Sequence, residues 1–189
     1  MGAGAAMIPK TAALFAWAIA FAWASVAVPA ARAAASEASV AAACTIVGTD
    51  NNDSIIGTPL DDYICAYGGN DVIRGLGGND LILGGGGADS IYGDAGDDRM
   101  YGGAGGDLLG GGGGNDIVKG GAHRDTLRGH AGGDRLYAGG GRDRLYGGGS
   151  RDLFYARDGA RDRIEGGAGR DCARVDSGLD VTISVHETF

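Results

Sequence analysis

The sequence predicts an all-β fold built of very short strands, and three observations predict it. From Gly48 onward an aspartate recurs every nine residues, an apolar residue stands two positions after it, and glycine crowds the positions before it. Together they define a nine-residue unit of turn and strand.

The period comes first, because 40 glycines and only 7% aromatic residues among 189 depart far from ordinary globular usage. A glycine-rich chain without a period would be a flexible linker. Here twelve units run without insertion from GTDNNDSII (48–56) to GGGSRDLFY (147–155). Their sixth position is Asp53, Asp62, Asp71, Asp80, Asp89, Asp98, Asp107, Asp116, Asp125, Asp134, Asp143 and Asp152. One inserted residue near Ala156 shifts the frame, and Asp162, Asp171 and Asp180 resume it.

The strand follows from the eighth position, which runs Ile55, Ile64, Ile73, Ile82, Ile91, Met100, Leu109, Val118, Leu127, Leu136, Leu145, Phe154 and Ile164 before fading at Ala173 and Thr182. The last three residues of each unit alternate outward, inward, outward, the period-two signature of a very short strand with one buried side chain. The first six residues read as turn. Glycine at positions one, two and four permits positive φ and lets carbonyls approach an ion that side chains would obstruct. Gly85, Gly103 and Gly112 at position two, and Gly69, Gly78, Gly87, Gly96, Gly105 and Gly114 at position four, are the candidate carbonyl donors.

Ahead of the repeats, residues 11–28 form an apolar run preceded by Lys10 and followed by PAARAAAS, the arrangement of a secretory signal peptide cleaved after Ala33. The run is about as long as a minimal membrane span, so a membrane is a partner only if this segment stays attached. Losing residues 1–33 removes Lys10, Arg32 and no acid, taking the net charge from −8 to −10. Such an acidic chain disfavours nucleic acid and fits a cationic ligand. The expected organisation is a signal peptide at 1–33, a linker and cap strand at 34–47, the repeat region at 48–183 and a C-terminal tail at 184–189, in a secreted, extracellular protein.

The unit resembles the RTX, or haemolysin-type, nonapeptide GGxGxDxUx over residues 48 to about 183. The resemblance implies a parallel β-roll, a two-sheet β-solenoid in which successive units alternate between facing sheets. It also implies several calcium ions held between neighbouring turns of one edge by aspartate carboxylates and backbone carbonyls. Asp53, Asp71, Asp89, Asp107, Asp125 and Asp143 then form one ladder and the intervening six another, with Asp162 and Asp171 as further ligands. Calcium accepts six to eight oxygens in flexible geometry and suits such a site, whereas magnesium demands a near-ideal octahedron. With one buried apolar side chain per nine residues and like charges stacked along each edge, the metal-free chain is expected to be disordered, with calcium binding coupled to folding.

The two halves differ. Residues 48–119 hold twelve acids and three bases, residues 120–189 eleven of each. Arg124, Arg142, Arg151, Arg161 and Arg170 occupy position five, where earlier units carry Asn52, Asp61, Asn70, Asn79, Asp97 or Asn115. Either this side chain points to solvent, or it partly neutralises the aspartates and the second half depends less on calcium. His123 and Ser150 replace the position-four glycine and His130 a position-two glycine, which weakens the expectation for those sites. Units one and two, with Asn51, Pro59 and Leu60, read as a capping variant.

Cys44, Cys65 and Cys172 allow at most one intramolecular disulfide. In the regular frame Cys44 and Cys65 are offset by three residues, about 10 Å along the strand, so the cap must leave that frame for them to pair. Cys172 would stay free or pair between molecules. No HExxH helix or nucleophile elbow is present, which predicts no enzyme. Tyr92, Tyr101, Tyr137, Tyr146 and Tyr155 face outward at position nine, beside Arg135 or Arg144, as surface stacking or as an adhesive, glycan-binding face whose target the sequence does not reveal.

Overall fold

A computed structural model of the chain describes residues 44–188; the expected signal peptide lies outside the described residues. Among those residues there are strands and no helix. All strand pairs are parallel, and odd and even strands in chain order separate into two sheets of nine and eight strands, stacked as a β-solenoid of about 8 turns. The first sheet runs Ile46–Val47, Tyr63–Cys65, Leu81–Gly86, Arg99–Ala104, Ile117–Ala122, Arg135–Gly140, Leu153–Ala156, Cys172–Val175 and Glu187–Thr188. The second runs Ser54–Ile56, Val72–Gly77, Ser90–Ala95, Leu108–Gly113, Thr126–Ala131, Arg144–Gly149, Arg163–Ala168 and Val181–Ile183.

Register follows directly from the repeat. Residues pair with those eighteen positions on, as Ile73↔Ile91 and Ile82↔Met100 do; the insertion near Ala156 lengthens the step to nineteen, as in Leu145↔Ile164, and the last pair, Cys172↔Glu187, shortens it to fifteen. The apolar column from Ile64 to Ile164 is almost wholly buried and fills the space between the sheets as a single file of side chains. Ile46, Val175 and Val185 pack against its two ends.

Three features differ from the sequence expectation. Most strands are six residues long, because positions one to three continue the ladder after the corner: the Gly86 N–H donates to the Tyr67 carbonyl (2.7 Å) and the Ala66 N–H to the Leu83 carbonyl (2.9 Å). These positions are mostly glycine, so no side-chain pattern announces them. The roll also continues past residue 183, where Glu187–Thr188 pairs with Cys172 and Ala173. Outward tyrosines stack within their own columns, two of them with arginine as expected, but with Arg128 over Tyr146 and Arg174 over Tyr155 and not with Arg135 or Arg144. Tyr137 lies on Tyr155 with centroids 4.5 Å apart, and Lys119 sits over Tyr101 and Tyr137.

Cys44, just ahead of the first strand, is disulfide-bonded to Cys65 with Cα atoms 6.0 Å apart. Cys44 lies outside the paired residues, which start at Ile46, and so escapes the three-residue offset. Cys172 is free and buried.

From the third unit to the twelfth, positions two and four carry positive φ, including the non-glycine residues Tyr67, Leu76, Asp94 and His130 at position two and His123 and Ser150 at position four; Thr49, Asn51, Thr58 and Leu60 in the first two units do not. The backbone of those turns is therefore kept, at a cost in left-handed strain. Ser150, with φ 78°, is exposed, and Ser150→Gly is expected to stabilise the roll by about 0.5–1 kcal/mol, strain relief exceeding the extra freedom of glycine in the unfolded chain. A lower thermal midpoint for this variant in saturating calcium would contradict that expectation.

Candidate functional site

The aspartates precede each strand, at the corners where the chain passes from one sheet to the other. Each column is a hydrogen-bonded ladder: the Asp53 N–H donates to Asp71 Oδ1 (2.8 Å), the Asp71 N–H to Asp89 Oδ1 (2.9 Å), and so on to Asp162 and Asp180. The other edge runs from Asp62 through Asp80, Asp98, Asp116, Asp134 and Asp152 to Asp171 in the same way. The two ladders are those the family resemblance implies.

Only one oxygen of each carboxylate is used in this way. The Oδ2 atoms of Asp71, Asp80, Asp89, Asp98, Asp107, Asp116, Asp125, Asp134, Asp143, Asp152, Asp162 and Asp171 are buried and have no hydrogen-bond partner. A buried carboxylate oxygen without a donor is costly, so a row of them calls for cations. The ladder ends are closed differently. Asp53 Oδ2 accepts the Thr49 N–H (2.6 Å) and hydroxyl (3.0 Å), Asp62 Oδ2 those of Thr58 (2.6 and 2.9 Å), and Asp180 Oδ2 the Asp176 N–H (2.8 Å). These three belong to the ladders but are already satisfied. At the far end of the other edge the Asp171 N–H meets His186 Nδ1 at 3.4 Å instead of another carboxylate.

The space beside each free oxygen explains the first glycine of the unit. A Cβ built on Gly102 would touch Asp107 Oδ2 and lie 2.6 Å from the Gly120 carbonyl oxygen; one on Gly93 would touch Asp98 Oδ2 and lie 2.8 Å from the Gly111 carbonyl. Position-one glycines have ordinary φ, so space and not backbone freedom requires them. A carboxylate oxygen and a main-chain oxygen of the next turn thus converge on a cradle of about the 2.3–2.6 Å reach of calcium–oxygen bonds. Ala66 and Ala138 take this position in the Asp71 and Asp143 units and place a methyl group there. The nine glycines expected to donate carbonyls all have φ between 104° and 132°. Side chains there would strike main-chain oxygens of the preceding turn, as Gly87 would strike Gly69 O and Gly105 would strike Gly87 O. Among the described residues no group of three His, Cys, Asp or Glu side chains converges, so a bound cation must take main-chain oxygens as well. All-oxygen, sulfur-free coordination suits calcium.

A second ladder, missed in the sequence, runs outside the first. Asn52, Asn70 and Asn115 on position five accept the position-five N–H of the next turn, and Asp61, Asn79 and Asp97 do likewise at 2.7–2.8 Å. The signal was the run of Asn and Asp at that position; Ala88 on one edge and Gly133 on the other, which carry no side-chain acceptor, end it.

Burial pushes the carboxyls of Asp98, Asp143 and Asp152 up to about 6 and those of Asp116, Asp125 and Asp162 up to about 7. Ladder N–H bonds oppose the shift and neighbouring carboxylates add to it. Arg124 opposes the rise at Asp143, whereas Asp125 and Asp162, each directly after an arginine at position five, rise as far as Asp116. Each such carboxyl binds its proton more tightly folded than unfolded. Its contribution to the metal-free fold is full below the ordinary value near 3.8 and is lost as pH rises through 6 to 7. In chelator the roll is therefore expected to be more ordered at pH 4.5 than at pH 7.5. Calcium must displace these protons, so its folding midpoint is expected to rise between pH 8 and pH 5.5. A calcium titration at several pH values checks this, and a pH-independent midpoint would contradict it.

A family model for the RTX calcium-binding nonapeptide repeat matches residues 47–82, 74–109, 101–136, 110–143 and 128–160. The chain belongs to this family. Its RTX repeats make it a calcium-binding repeat protein, and the orphaned oxygens of the roll provide a place for the ion. A search of curated proteins finds no match to the chain.

Proposed function

We propose that this RTX protein is an exported, non-catalytic scaffold whose folding is driven by several calcium ions bound along both edges. The observation that carries the proposal is the row of twelve buried Oδ2 atoms without a donor, bounded at its ends by carboxylates that Thr49, Thr58 and Asp176 already satisfy. Each ion would take Oδ2 from the ladder with main-chain oxygens of adjacent turns. Bound calcium supplies the positive charge that lets neighbouring carboxylates ionise inside the fold. The apolar column gives each nine-residue unit one inward side chain, a small core for the chain it must order. Export through the N-terminal segment would carry the chain into calcium-rich surroundings, where it folds.

Calorimetric titration with calcium at two or more temperatures tests the coupling. Ordering of the roll buries apolar surface and predicts a large negative heat-capacity change. A value near zero, as for ions entering a preformed site, would reject coupled folding. Sequencing the N-terminus of protein recovered outside cells tests export, with Ala34 as the expected first residue.

A further inference from the structure

The arginines of the second half gather on one edge. Arg124, Arg142 and Arg161 stand at position five of three turns stacked on the second sheet, just ahead of Asp125, Asp143 and Asp162. Two residues further on, Arg144 and Arg163 pair directly in register. All five are exposed and line a single groove of about 370 Å³, whose floor is formed by Asp143 and Asp162. Earlier on the same edge, position five holds Asn52, Asn70, Ala88 and Gly106, so the cluster is confined to these turns.

Like charges held at strand spacing, about 4.8 Å across the sheet and about 6.6 Å between the two columns, repel one another unless anions lie among them. Few internal partners answer them. Arg163 pairs with Glu165 at 2.7 Å and Arg161 Nε donates to the Leu179 carbonyl, while Arg142 and Arg144 make no ion pair among the described residues. The anionic groups on the floor are ladder carboxylates, and calcium bound along this ladder would offset the negative charge facing the guanidinium groups.

We propose that this groove binds a sugar carrying two or more sulfate or phosphate esters, and that calcium on the ladder beneath strengthens the binding. Guanidinium forks match sulfate and phosphate oxygens in pairs, and a two-column grid engages several esters at once. The groove has the size of a small-ligand site. A long polyanion fits less well, because residues 48–119 of the same roll carry a net charge of −9. The coupling rests on the calcium reading, and by linkage the ligand must strengthen calcium binding as much as calcium strengthens its own.

The test titrates the full chain with sucrose octasulfate and, separately, glucose 1,6-bisphosphate, with and without calcium, and measures calcium uptake in the absence of either. At least one probe is expected to bind in calcium, weakening with salt, and which one binds identifies the ester. Arg142→Gln combined with Arg161→Gln should weaken it about tenfold or more while the calcium-induced circular dichroism is retained. Arg99→Gln, on the opposite edge, should leave it unchanged. Binding of neither probe, unchanged binding in the double variant, or equal or tighter binding of a single-stranded oligonucleotide would overturn the site. Equal binding with and without calcium, where calcium uptake itself is intact, would overturn the coupling; absent calcium uptake would instead count against the calcium reading.

Discussion

Asp116→Ala is expected to destabilise the calcium-loaded roll by about 3 kcal/mol, the scale for removing one partner of a buried charged pair. Asp116 is fully buried near the middle of its ladder, where its Oδ1 accepts the Asp98 N–H at 2.9 Å and its own N–H donates to Asp134 Oδ1 at 2.8 Å. Alanine leaves the Asp98 N–H without an acceptor and a calcium ion without a carboxylate. Asp53→Ala, at the start of the other ladder, should cost only about 1 kcal/mol, since it frees the exposed Thr49 N–H and hydroxyl to water. Denaturant unfolding in saturating calcium compares the two. Equal losses would mean that the free Oδ2 atoms, which Asp116 has and Asp53 lacks, carry no special role.

The next largest effect is expected at a residue with no side chain. Gly102→Val should cost about 3 kcal/mol or more and reduce the number of calcium ions bound, because its Cβ would occupy the cradle between Asp107 Oδ2 and the Gly120 carbonyl. Ala66 and Ala138 show that a methyl group can be fitted at this position of the roll, so the bulkier, branched valine is the substitution to use. Gly113→Val is the matched control: a Cβ there meets nothing within 4 Å and its φ is not positive, so the change should stay within about 0.5 kcal/mol. Calcium counting by atomic spectroscopy on gel-filtered protein, with denaturation of both variants, distinguishes a filled cradle from a general intolerance of valine.

The two ladders and the apolar file were legible in the sequence because a side chain repeats at a fixed position in each. Asp71, Asp89 and Asp107 lie eighteen apart, and one turn of the roll is eighteen residues long. What the main chain does was harder to read. Positions one to three of the unit, which form the second half of each strand, are mostly glycine and pair through N–H and carbonyl groups that no side chain reports, so the six-residue strands were hidden. The positive φ of Tyr67 and Leu76 was hidden for the opposite reason: their side chains argue against the conformation that the stacked turns impose. The end caps did leave a trace. Thr49 and Thr58 each stand four residues before their aspartate, a spacing absent from the later units, and their hydroxyls do what a cation would do further along. The position-five ladder left one too, in Asn52, Asn70 and Asn79, but an exposed amide reads as a solvated side chain until its acceptor geometry is seen.

Far-ultraviolet circular dichroism of the chain at pH 7.5, in calcium, after addition of chelator and after calcium is restored, tests the central claim most directly. The buried Oδ2 atoms without a donor predict a β-sheet spectrum in calcium, a coil-like spectrum in chelator, and recovery with calcium but not with magnesium. A β-sheet spectrum that persists unchanged through chelation would contradict it.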